Sequence, residues 1–460
     1  MVTVIVFCGS SFCFDAALIT EIPLAAIQTE QNGQAVRVTI QLAAIRVYDG
    51  LPIVGAPIMI RPDSAWTIAY LTVLVAMGQM STGIYLPSMP SLAASFATDS
   101  GTVKLTMSVF LAGFAVAQLI YGPLCDRFGR RPVVIGGLVI FALASLACAL
   151  APSIEWLIVA RLFQAIGACS GQVLGRAIGR DLFEGQRYAK VMAMVGLALA
   201  LTPAAGPVLG GVLQVAFGWQ ANFLFLAGWG ALLLLVTLFG LQETNRAPDP
   251  RALSLPVMAS NFGRLLRNRL YMGYTLTLAF SFGCLFAYMT GSPFILIDQL
   301  GIRPDLFGVL SIFNVLGYAI GSAIANKASG RVTAPRMVAA GAVVVLLSGI
   351  AMIGFSLAGI VTAYTLIGPM MVMLTGMGML IPNAMAGAIS PFPAMAGVAS
   401  ALMGFLQMAM AMVMSVLVGL LQAVHDMPMP LVFALSALLT FASYLALVRG
   451  ARPEGTARLQ

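Results

Sequence analysis

The stretch Gly122-Pro-Leu-Cys-Asp126-Arg127-Phe-Gly129-Arg130-Arg131-Pro132 packs one acid and three arginines into six residues. Such a cluster in a tight turn can clamp neighbouring helix ends through charge-assisted hydrogen bonds. Its glycines permit close backbone approach. The expected device is a conformational latch of Gly122, Asp126, Arg127, Gly129, Arg130 and Arg131. A basic loop that serves only topology needs neither Asp126 nor the glycines. Arg161 is a second candidate, because it falls inside a long apolar run. It lies about 9 Å down a helix from the start of that run. A charge there costs several kcal/mol if it faces lipid, so it is expected to face the interior. Gln164 is one turn deeper on the same side. Gln79 and Gly83 also stand one turn apart, and the missing side chain at Gly83 is expected to leave room beside Gln79. With Gln118, these residues are the expected cavity lining.

Metal and cofactor chemistry has little to draw on. The one histidine, His425, falls in an expected loop, and the six cysteines at 8, 13, 125, 148, 169 and 284 lack ligand spacing. No metal site and no cofactor are expected. The cysteines read as small buried hydrophobes.

These residues must be positioned by helices in a bilayer. Of 460 residues, 60% are hydrophobic and 9% charged; mean hydropathy is +0.97. A soluble domain carries roughly 25% charged residues, which excludes a water-soluble enzyme. The net charge of +8 suggests nucleic acid, but basic residues of membrane proteins collect in cytoplasmic loops. Apolar segments predict spans at 66–89, 103–123, 132–151, 155–177, 191–215, 221–241, 271–296, 305–325, 337–357, 359–381, 396–423 and 430–448. They are too long and continuous for barrel strands. With residue 65 inside and the spans alternating, 17 Lys and Arg fall in cytoplasmic segments. Only Lys104 and Arg303 fall in outer loops. Arg176 is placed at a helix end. This bias sets both termini in the cytoplasm of a bacterial inner membrane.

The expected organisation is a six-helix bundle over 65–241, a central cytoplasmic loop over 242–270, a second bundle over 271–449 and a tail over 450–460. Gly113 to Arg127 and Gly317 to Arg331 align without gaps, as a repeated half with its site between the halves predicts. Residues 1–64 do not share the pattern. Met59 to Ser64 reads as a natural short start, so residues 1–58 are an expected over-extension of the chain.

The arginine cluster resembles the signature loop of the major facilitator superfamily, Gly-x-x-x-Asp-Arg-x-Gly-Arg-Arg. Four further places resemble its Bcr/CflA-type drug-resistance branch: Tyr85-Leu-Pro-Ser-Met-Pro90, Arg161-Leu-Phe-Gln164-Ala-Ile-Gly167, Gly206-Pro207-Val-Leu-Gly210-Gly211, and the stretch from Gly397 to Met408. The resemblance covers Ala65 to about Arg449. It implies an all-α membrane protein of twelve transmembrane helices in two six-helix bundles. Gly206, Pro207, Gly210 and Gly211 resemble the antiporter motif of exporters, although its earlier glycine is Thr202 here. Their physical reading is a kinkable, close-packing helix face. For Arg161 the resemblance implies proton coupling, and the residues themselves equally allow an anchor to carbonyls of span 1.

One position departs from the family pattern. The branch carries an acid in span 1 where this chain has Ser81-Thr82-Gly83. The expected function is secondary export of small amphipathic compounds by alternating access, linked to protons and carried out by a monomer. The alternative is a proton-independent facilitator or exporter of neutral or anionic metabolites, since an unpaired Arg161 would make the cavity positive. A membrane-embedded lipid enzyme needs a catalytic His, Cys or carboxylate pair at one depth, and none is offered. The many methionines, such as Met370, Met371 and Met373, suit an adaptable wall, but ordinary packing explains them as well.

Overall fold

The computed structural model describes residues 64–245, 247–250, 252–421 and 427–449. The expectations for residues 1–58, His425, Arg246, Arg251 and the tail from 450 lie outside the described residues. Among the described residues there is no strand, and twelve helices are long and apolar enough to cross a membrane. Spans 1 to 6 are Ala65–Ser95, Ser100–Phe128, Arg130–Ala149, Ile154–Leu182, Gly185–Phe217 and Gln220–Gly240. Spans 7 to 12 are Arg269–Gln299, Pro304–Ala328, Ala334–Leu357, Ala363–Ile389, Ala396–Leu421 and Pro428–Val448.

Local chemistry sets the boundaries. Asp99 caps span 2, accepting from the Thr102 amide at 2.9 Å and its hydroxyl at 2.6 Å. These bonds favour the ionised form and hold the Asp99 carboxyl below the usual carboxylate range. Ser153 caps span 4 in the same way. The first helix of span 1 stops at Gly83, and a turn ahead of Pro87 leads into the short helix Met89–Ser95 that completes the span.

Three expectations are corrected. The helices of spans 2, 4 and 5 run several residues past the predicted apolar segments, because hydropathy marks the hydrocarbon layer and not the helix end. Arg176 therefore lies inside span 4 rather than at its terminus. Lys104, expected in an outer loop, belongs to span 2; it is 3% exposed, with its ammonium 4.7 Å from the Phe294 ring centroid. Finally, the stretch 242–270 is not all loop, since Leu255–Arg267 forms an amphipathic helix. That helix buries Leu265 in the cluster around Tyr271 and carries Arg264 and Arg267 in its last turn.

The two halves repeat each other. Span 1 packs on spans 4 and 5, span 4 on spans 2 and 3, and span 3 on span 6. Span 7 packs on 10 and 11, span 10 on 8 and 9, and span 9 on 12 in the same pattern. The aligned glycines occupy equivalent places. A methyl built at Gly113 would sit 2.9 Å from the Leu162 carbonyl oxygen of span 4. One at Gly317 would sit 3.1 Å from Met371 Cα of span 10. Two helix pairs, 2 with 11 and 5 with 8, provide most of the contact between the halves. The end bearing Arg130 is called the basic end below.

Candidate functional site

Arg161 is completely buried, 0% exposed, and points into the first half. Its Nη1 donates to Gln164 Oε1 at 2.7 Å and to the Ser81 carbonyl, near the end of the first helix of span 1, at 3.2 Å. The guanidinium carbon lies 4.2 Å from the Phe110 ring centroid, 4.6 Å from Tyr85 and 5.9 Å from Phe223. Desolvated rings of this kind stabilise a cation through their quadrupoles. Tyr85 is held in turn by a hydrogen bond with Thr106. Gln164 passes the chain on, its Nε2 donating to Ser145 of span 3 at 2.8 Å. The structure thus takes Arg161 and Gln164 out of the cavity lining. They bridge spans 1, 3 and 4, and among the described residues no carboxylate bonds to Arg161.

Gly83 is corrected too. A methyl there would stand 3.2 Å from Pro207 Cδ and 3.3 Å from Gly206 Cα. The missing side chain admits the backbone of span 5 and leaves no space beside Gln79. Gly210 faces the Ile84 carbonyl across the same contact. The other side of the motif reaches the second half: methyls built at Gly211 and Gly308 would stand 2.8 Å from Asp305 Cα and 2.6 Å from Val208 Cα. Gly206, Pro207, Gly210 and Gly211 therefore wedge span 5 between spans 1 and 8. Small residues allow such approach where lipid supplies no hydrophobic drive between helices. Nearby, the Ser88 hydroxyl donates to Gln214 Oε1 and accepts from Asn222 Nδ2, both at 2.7 Å.

This contact is confined to one end. On the face of span 5 that holds the motif, Gly196 is exposed and Leu199, Ala200 and Pro203 are half-buried. A methyl at Gly196 would meet nothing within 4 Å. On span 8, Gly308 is buried, Val315 half-buried, and Ala319 and Asn326 exposed. A cleft thus opens toward the basic end and is closed at the other. The closure includes Ser108 of span 2, hydrogen-bonded at 2.8 Å to Ser415 of span 11, which Thr290 also meets at 2.9 Å. Gln118 is 6% exposed and packs on Gly404 of span 11, nearer the basic end, so it lies in the contact between spans 2 and 11 and not on the cleft wall. Of the expected lining Gln79 is half-buried, one turn before Gly83 on span 1.

The charged cluster forms a clamp at the basic end. Arg130 Nη1 donates to Asp126 Oδ1 at 2.6 Å and its Nε to Asp181 Oδ2 at 3.0 Å. A buried guanidinium requires this pairing. Glu243, just after span 6, accepts from the amides of Arg130 at 2.8 Å and Arg131 at 3.0 Å, capping span 3. Arg131 Nη2 donates to the Leu238 carbonyl at 2.9 Å. Gly129 has φ +94°, and a methyl there would fall 2.8 Å from Glu243 Cδ. The clamp ties spans 2, 3, 4 and the end of span 6, all in the first half. Two members differ from expectation. Arg127 is exposed and lies over the Phe128 ring, and Gly122 makes no close approach, with nothing within 4 Å of a methyl there.

Sequence reasoning missed Asp181 and Glu243 as partners of the cluster, and did not single out Gln172, half-buried, and Arg176, exposed, on span 4. The signal for Glu243 was weak, since one acid shortly after a span has no fixed spacing to a loop four spans earlier. For Gln172 and Arg176 the signal was present: they follow Arg161, Ala165 and Ala168 at steps of three and four on one face of span 4.

Comparison with known proteins agrees with this architecture. Residues 71–415 match the family model of the Major Facilitator Superfamily. The chain is 32% identical to an uncharacterised MFS-type transporter, YdgK, of Bacillus subtilis, over 74% of this chain and 85% of that one. It is 31% identical to multidrug resistance protein D of Escherichia coli, over 76% and 87%. It is 30% identical to a bicyclomycin resistance protein homolog of Haemophilus influenzae, over 75% and 86%. Among solved structures, a POT family transporter superposes with a TM-score of 0.66 at 15% identity, covering 83% of this chain and 95% of that one. The chain is a multi-pass membrane protein that belongs to the Major Facilitator Superfamily, in its Bcr/CflA-type branch.

Proposed function

We propose that the protein exports small amphipathic compounds across a bacterial inner membrane by alternating access, as a monomer with both termini in the cytoplasm. The observation that carries this is the face of span 5, packed shut at Gly206 to Gly211 and open from Gly196 to Pro203. A surface that is closed at one end and open at the other suits a pair of bundles that rock about a central site. The bundles of this proposal are 65–241 and 271–449. Relatives named for multidrug and bicyclomycin resistance support a small-molecule cargo. The clamp around Arg130 would keep the first bundle rigid while it rocks.

Protons are the coupling ion of this reading. A specific observation favours a second one, a carrier that equilibrates its substrate without protons. Gly83, where the branch carries its acid, is filled by span 5. The test is accumulation of chloramphenicol-like, anionic and cationic compounds in everted vesicles with an imposed proton gradient, then with a protonophore. Accumulation above that of vesicles lacking the protein, lost with the protonophore, is expected. Movement that only equilibrates and ignores the gradient selects the second reading. No movement of any compound overturns both.

A further inference from the structure

We propose that Arg176, with Gln172 and Gln79, forms a subsite for the carboxylate or sulfonate end of an amphipathic substrate. This deepens the export reading and rests on it. Arg161 cannot serve, being enclosed by three rings, the Ser81 carbonyl and Gln164. The same face of span 4 emerges from packing as it approaches the basic end. Arg161, Ala165 and Ala168 are fully buried, Gln172 is half-buried and Arg176 is exposed. That gradient of exposure places Arg176 where span 4 opens toward the basic end. Gln172 reaches span 1, its Oε1 lying 3.7 Å from the site of a Gly78 methyl, beside half-buried Gln79.

Among the described residues no carboxylate pairs with Arg176. The titratable groups that act on it are Cys169 on its own helix and Tyr188 at the start of span 5, neither a carboxylate. Asp126 and Asp181, at the same end, are engaged by Arg130. A guanidinium offers a planar fork that fits a carboxylate or sulfonate in bidentate fashion. Low-dielectric walls focus its field along the cleft. The amides of Gln172 and Gln79 add donors, and a lipophilic cation is repelled.

The test is binding of 1-naphthoate and of neutral 1-naphthamide to the full-length protein in nanodiscs of zwitterionic lipid, which removes anionic headgroups as competitors. The readout is the ratio of the two affinities. Arg176→Gln is expected to lower the naphthoate preference at least about ten-fold, and Arg176→Lys to recover most of it. Gln172→Glu places a carboxylate beside Arg176 and is expected to lower the ratio by a similar factor, which keeps the test open if Arg176→Gln does not fold. A wild type that does not prefer naphthoate, or a ratio unmoved by both Arg176→Gln and Gln172→Glu, overturns the subsite. The ratio does not depend on transport. If it falls as expected while vesicles accumulate nothing, the export reading fails and the subsite stands.

Discussion

At the scale of single residues, Arg161 is held by partners from several helices. Its bond to Gln164 is charge-assisted, and such bonds contribute about 1.5–3 kcal/mol. Arg161→Ala and Gln164→Leu are each expected to lower the unfolding midpoint. The double variant should lose less than their sum, with a coupling of about 0.5–3 kcal/mol. Strict additivity in thermal melts would break the pairing. Gly83→Asp tests the filled position. Overpacking costs about 1–3 kcal/mol, and the carboxylate would face the Gly206 and Pro207 backbone. The variant should melt lower and accumulate no more substrate under a proton gradient than the wild type. A stable Gly83→Asp protein with new gradient-driven uptake would refute this view of span 5. Sequence reading found Arg161 because a charge in an apolar run stands out. It did not find the Tyr85, Phe110 and Phe223 rings, because spans 1, 2 and 6 meet span 4 only through tertiary packing. It also took Gly83 for space, because one residue type serves both an empty pocket and a close helix contact.

At the scale of elements, the clamp holds the start of span 3. Glu243 acts as a helix cap supplied from a distant part of the chain, and loss of a cap costs about 0.5–2 kcal/mol. Glu243→Ala should therefore increase amide hydrogen exchange in the first turn of span 3, at Arg130, Arg131 and Val133, and leave the second half unchanged. Gly129→Ala should do more, because φ +94° is unsuited to alanine and the methyl meets Glu243; strained backbone of this kind costs about 1–3 kcal/mol. Equal protection in wild type and Gly129→Ala would contradict the clamp. The local signature Asp126-Arg127-Phe-Gly129-Arg130-Arg131 was legible in sequence, whereas its acceptors were not. The linking helix Leu255–Arg267 escaped for another reason: it is short and amphipathic, so its apolar face is diluted in a search for long apolar runs.

At the scale of the molecule, twelve spans and an internal repeat were legible because bilayer thickness and backbone hydrogen bonding leave few alternatives. Which end of the cleft is open was not. That depends on whether the faces of spans 5 and 8 pack at Gly308 or near Asn326, and the same residues serve either arrangement. Gly308→Leu drives a side chain into Val208 and should loosen the closed end. In a Ser108→Cys/Ser415→Cys background it should reduce the yield of the oxidised bridge, and an unchanged yield would contradict the wedge role of Gly308. The bridge itself gives the most direct test of the central claim. The two hydroxyls are 2.8 Å apart across the halves, so cysteines there can be oxidised into a lock on the closed end. If the protein works by alternating access, the oxidised double variant should stop moving substrate in everted vesicles, and dithiothreitol should restore transport. Equal transport rates in the bridged and reduced forms would contradict the account.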